Sequence, residues 1–103
     1  MATEPHYILN AQEARDALRL DETSDEREIM DYVARATSEL DGVCDFKWED
    51  QTPIDPDAKT ACRVILINDF YRGNPDYDLE DVCERWKKRM RAKASLIKKE
   101  GKP

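Results

Sequence analysis

Nine cations crowd the stretch RWKKRMRAKASLIKKEGKP, residues 85–103: Arg85, Lys87, Lys88, Arg89, Arg91, Lys93, Lys98, Lys99 and Lys102, against the single acid Glu100. Positive charge at this density can hold phosphate oxygens or meet an acidic protein surface. It can also be a solvated helix end whose cations suit the negative pole of the helix dipole. The whole chain is nevertheless acidic, with 17 Lys plus Arg against 23 Asp plus Glu and a formal net charge of -6. The stretch itself carries +8, which leaves -14 on residues 1–84. A molecule with opposite charge at its two ends favours head-to-tail contacts, and these close into rings where the rotation allows.

Other groups able to do chemistry are placed less tellingly. Cys44, Cys62 and Cys83 lie 18 and 21 residues apart, with His6 the one imidazole. That is neither a zinc spacing nor a disulfide framework, and three buried free thiols are expected. The carboxylates of DETSDERE and DPDAK suit helix starts better than acid–base catalysis, and the first string lacks the glycine and final Glu of a calcium loop. No phosphate-binding glycine loop, zinc-protease helix or nucleophile elbow is present. The expectation is a protein that is not an enzyme and takes no cofactor or metal.

Phe46 and Trp48 alternate with charged residues in VCDFKWEDQTPIDP, residues 43–56, which breaks the helical period. Such a segment is long for a helix connection in a bundle, where about 2 to 8 residues are usual. An aromatic-bearing arm that contacts another chain, mobile until it does so, is expected.

These groups must be positioned by helices. Asn10 with Glu13 reads as a capping box opening a helix over roughly 11–19. Thr23, Ser24 and Asp25 offer caps for a second, over roughly 25–41, whose Ile29, Val33, Ala36 and Leu40 form one stripe and whose stop is read at Gly42. Asp55 and Pro56 open a third that runs to the break at Gly73. Its Val64, Ile65, Leu66 and Ile67 cover most of its circumference, the mark of a buried central helix. Asp78, with Asp81 three residues on, opens a fourth whose stripe is Leu79, Val82, Cys83, Trp86, Met90 and Ile97. Leu18, Ile29, Val33, Leu40, Val64, Ile65, Ile67, Phe70, Val82 and Trp86 form the expected core. The fold class is all-α: one small four-helix domain over 1–103, its core at 7–97, with a long central loop and an extended basic C-terminal helix. The 40% apolar content suits a folded chain, and no stretch approaches the apolar length of a membrane span. No signal peptide is read at MATEPHYILN, so a cytosolic protein is expected.

The order ILNAQEARDALRLDE, then REIMDYVARATSELDGV, then AKTACRVILINDFYRGNPD resembles the small head-to-tail connector proteins of tailed bacteriophages, also described as DNA-packaging or head-completion adaptors. The likeness covers roughly residues 7–77 and lies in the succession of helices, in Leu18-Arg19-Leu20 and in the turn Phe70 to Asn74. The basic extension over residues 85–103 departs from it. The resemblance implies a structural virion protein, made in the host cytoplasm and located in the connector. It also implies partners: further copies of itself in a ring, the portal protein, a tail-side connector or stopper protein, and the genomic DNA in the channel. A small helical regulatory or nucleic-acid-associated protein using its basic helix is the alternative.

Overall fold

The computed structural model describes residues 7–100. Lys102 and His6 lie outside them. Four helices form: α1 (Ala11–Leu18), α2 (Glu26–Cys44), α3 (Pro56–Phe70) and α4 (Glu80–Lys99), with short 3-10 turns at Trp48–Asp50 and Pro75–Tyr77. The all-α expectation holds.

The caps explain most of the starts. Asn10 Oδ1 accepts from the Glu13 N–H at 2.8 Å while Glu13 Oε1 accepts from the Asn10 N–H at 2.9 Å, closing both halves of the capping box. Asp25 accepts from the Arg27 and Glu28 N–H groups, and Asp55 accepts from the Asp57 N–H at 2.8 Å with Pro56 in the first turn. The fourth start differs from expectation. Helix α4 begins at Glu80 rather than Asp78, and Leu79 holds the cap position with no side-chain bond. Asp78 accepts from the Glu80 N–H at 3.3 Å, while Asn68 of α3 accepts from the Leu79 N–H at 3.0 Å and so fixes where α4 begins.

Two stops also differ. Helix α2 runs through Gly42 to Cys44, and Asp45 takes the left-handed conformation at φ 51. The physical reason is burial: Cys44, four residues beyond Leu40, extends the apolar stripe into the core. Helix α3 ends at Phe70, and Gly73 serves the following turn at φ 90. In α1, Leu18 is the last helical residue and Arg19 is left-handed at φ 58.

Helix α3 lies at the centre. Lys59 and Arg63 on one side meet Glu13 of α1, whereas Asp57 and Asn68 on the other side meet Arg89, Lys93 and Glu80 of α4. Helix α2 covers the face between, with Tyr32 edge-on to Phe70 at 4.9 Å between ring centres. The described chain measures 43 × 40 × 18 Å, a slab whose thinnest dimension is under two helix diameters.

Ile65 is buried, with Ala58, Ala61, Cys62 and Leu66 beside it. Leu18, Ile29, Val33 and Leu40 are buried as expected, whereas Val64, Ile67, Phe70 and Trp86 are half-buried at the margin. Val82 is a correction: it is half-exposed and stands apart from the core cluster. The centre is made instead of small residues, Ala14, Ala36, Ala61, Cys83 and Ala94 among them, which let the helices approach closely. Ile8 and Leu9, ahead of α1, are also buried, and the Ile8 N–H donates to Thr37 Oγ1 at 3.2 Å.

Candidate interaction surface

The basic helix is not uniformly free. Lys87 lies between Glu39 of α2 and Glu84 of its own helix, with its side chain 16% exposed. Burial works against its charge, but the hydrogen bonds to Glu39 and Glu84 outweigh that and hold its pKa above the ordinary lysine value. Lys93 reaches Asp55 at 2.7 Å and Asp57 at 3.1 Å. Arg89 lies 3.7 Å from Asp57 and stacks its guanidinium 5.0 Å from the centre of the Trp86 ring. Lys98 donates to the Cys44 and Asp45 carbonyls, each at 3.2 Å, at the open end of α2.

These four pairings correct the expectation that the whole stretch faces a partner. Lys87, Lys93 and Lys98 hold α4 onto α2 and α3, and Arg89 contributes to the same seam. Acids already recognised as helix caps supply part of it: Asp55 caps α3 and anchors Lys93 at once. Apart from Lys87–Glu84, which lies within one helix, these pairs join residues 32 to 54 positions apart, so the sequence carries no signal for them.

Arg85, Lys88, Arg91 and Lys99 remain. All four are exposed, and among the described residues they form no ion pair. Positions 85, 88, 92, 96 and 99 recur at three- and four-residue intervals, opposite Cys83, Met90 and Ala94 on the buried face. The outward strip extends about 21 Å along the helix axis. Leu96, 64% exposed, sits within it. On this strip helix α4 presents three solvated cations, Arg85, Lys88 and Lys99, beside one exposed aliphatic side chain, a surface suited to an acidic protein patch with an apolar spot.

An acidic counterpart lies on the other flank of the slab. Asp21, Glu22, Asp25, Glu26, Glu28 and Asp31 are exposed around the start of α2, next to α1. Of these, Glu26 is partnered by Arg15 of α1 at 3.4 Å.

The aromatic arm is folded in. Trp48 is fully buried, edge-on to half-buried Phe46 at 4.6 Å between ring centres, and its backbone N–H donates to Asp41 Oδ1 at 3.2 Å. Trp48 is thus a core residue rather than an exposed contact, since a helical turn at Trp48–Asp50 directs the indole inward. Phe46 keeps an accessible edge, which lines a groove of about 610 Å³ with Lys47, Gln51, Pro53 and Ile97.

The thiols are all free and buried. Burial pushes Cys62 up to about 12 and Cys83 up to about 11, and raises Cys44 as well. Among the described residues no cluster of three or more His, Cys, Asp or Glu side chains is arranged to hold a metal ion, and no helix is long and apolar enough to cross a membrane. Comparison with family models, curated proteins and solved structures returned no significant match.

Proposed function

We propose that this chain is a structural virion subunit, a head-to-tail connector that assembles as a ring under the portal, extends the DNA channel and offers a platform to a tail-side stopper protein. The observation that carries the reading is the opposition of charge across α3: outward cations of α4 on one flank, exposed acids at the start of α2 on the other. The order of helices and turns over residues 7–77 supports it through the resemblance. In this reading the basic flank of one copy, or of the ring, meets acidic surface on a neighbour or on the portal. No reaction is catalysed and no cofactor is held. The subunit is made in the host cytoplasm and ends in the virion neck.

The experiment is a charge reversal confined to the outward strip, Arg85→Glu with Lys88→Glu and Lys99→Glu, mixed with the cognate portal and followed by sedimentation. Lys87 is excluded because it is part of the fold. Circular dichroism of the variant should match the parent, and ring assembly should be lost, since like charges brought together across an interface cost several kcal/mol. Normal rings from the variant would overturn the interface. The second reading, a nucleic-acid-associated protein, draws on the same strip. It predicts salt-dependent binding of duplex DNA by the isolated parent and loss of that binding in the variant.

A further inference from the structure

A knob and a groove lie on different parts of the surface. Leu96 is the most exposed large apolar side chain among the described residues, at 64%, and stands on the outward strip of α4. Lys88 precedes it on the strip and Lys99 follows it; Lys93 beside it is already held by Asp55 and Asp57, and Glu100 is the one acid of this end. A groove of about 380 Å³ opens where the segment before α1 meets the start of α2 and the entry to α3. Half-buried Tyr7, Met30 and Ile54 line it with buried Ile8 and Leu9, and exposed Glu26 stands at its edge.

We propose that the end of α4 in one copy docks on this groove in a second copy, Leu96 entering between Tyr7 and Met30 with Lys99 against the acids at the start of α2. Charge selects the occupant. Residues 19–31, around the groove, carry six acids against Arg19 and Arg27, while α4 from Arg85 to Lys99 carries eight cations and no acid. Lys59, the cation of the groove itself, is paired with Glu13. The larger groove at Phe46 and Ile97 gives the strip no such attraction, since its charged residues Lys47 and Asp50 cancel.

The contact runs between copies, not within one. Lys98 fastens its end of α4 to the Cys44 carbonyl, and Met30 lies about 21 Å back along α2 from Cys44, at about 1.5 Å per residue. A leucine side chain is far too short to span that gap, so no chain fills its own groove. Knob and groove are different patches, and each copy in a pair therefore keeps one of them unused. Contacts of this kind run head to tail and either close or continue. The proposal rests on the connector reading only for the closure of that series into a ring. Leu96 supplies the apolar centre of the contact and the charges supply its rim, the usual division of an interface.

Disulfide trapping with whole chains tests this, the parent with its three buried thiols being the blank. An equal mixture of Leu96→Cys and Met30→Cys chains, oxidised at high concentration, should give about tenfold more linked dimer than either variant alone, because docking holds the two thiols together. A chain carrying both substitutions should give a ladder of linked multimers. Glu26→Cys, at the exposed edge of the groove, replaces Met30→Cys if that variant misfolds. Adding Lys99→Glu to the Leu96→Cys chain should cut the yield several-fold. The same oxidation is then run on rings assembled with the portal. Rings without the link would overturn this pairing and leave the connector reading standing, whereas a ladder from chains that form no ring on the portal would uphold the pairing and overturn the connector. Leu96→Cys dimers equal in yield to the mixture, or no link with either groove variant, would also overturn the pairing.

Discussion

The ammonium of Lys93 sits 2.7 Å from the carboxylate of Asp55, the residue that caps α3. One contact therefore serves a helix start and a helix–helix seam. Burial tends to raise the Asp55 pKa, but the hydrogen bond from Lys93 and the Asp57 N–H hold it below the ordinary value of 3.8. Lys93→Ala should lower stability by about 0.5 to 1 kcal/mol, the scale of a partly exposed pair. Because a depressed carboxylate stabilises only while ionised, the deficit should be complete above pH 3.8 and fade as pH falls through the lower folded value. Urea titrations of parent and variant at several pH values measure it, and a deficit that grows in acid would contradict the pairing.

Lys87 and Lys88 are neighbours with opposite roles. Lys87→Glu places a third carboxylate among Glu39 and Glu84 and should destabilise the isolated protein by about 1 to 2 kcal/mol. Lys88→Glu, on the outward strip, should stay within about 0.5 kcal/mol of the parent. Equal effects in chemical denaturation would place the two side chains on the same surface.

Ile65, 3% exposed at the middle of α3, gives the most direct check of the core. Ile65→Ala should cost about 2 to 5 kcal/mol. A change below about 0.5 kcal/mol, the level of a surface site, would remove α3 from the centre of the fold.

Trp48→Ala should be among the most damaging substitutions, at about 3 to 5 kcal/mol. An exposed contact residue would leave the isolated protein's stability nearly unchanged. Thermal melts of the variant separate the two cases without any partner.

Cys62 and Cys83 should resist thiol reagents in the native state near pH 8, since burial holds their pKa values at about 12 and about 11. Cys44, beneath the arm, should react first, and all three should react in denaturant. Fast native labelling at Cys62 would show that α3 is not enclosed.

Helices, caps and the buried face of α3 were legible because each depends on residues close in sequence. Asn10 with Glu13, Asp25, and Asp55 with Pro56 announce their own positions, and the run Val64 to Ile67 announces burial. What stayed hidden depends on other elements. Gly42 looks like a stop until Cys44 is needed in the core, and Asp78 looks like a start until Asn68 fixes Leu79. Periodicity put Val82, Cys83, Trp86 and Met90 of α4 on one stripe; the close-packed centre takes Cys83 and Met90 with the small Ala94, and leaves Trp86 at the margin and Val82 outside it. On the surface, composition revealed the basic helix but not its division, because the partners of Lys87, Lys93 and Lys98 lie on α2, the arm and the start of α3. The burial of Trp48 was likewise invisible, since alternating aromatics and charges describe a docked turn and a free arm equally well.

Helix α2 has no basic residue in its last turn, and the cation that reaches its final carbonyls, Lys98, stands 54 residues beyond Cys44. Domains begin to fold while the chain is still being made. On the ribosome, then, α2 emerges with its last turn unfinished and stays so through the synthesis of α3 and nearly all of α4. The two halves of that contact are also bound together in inheritance. A change at residue 98 alters how α2 ends, and a redesign of the Cys44–Asp45 turn alters what residue 98 has to be.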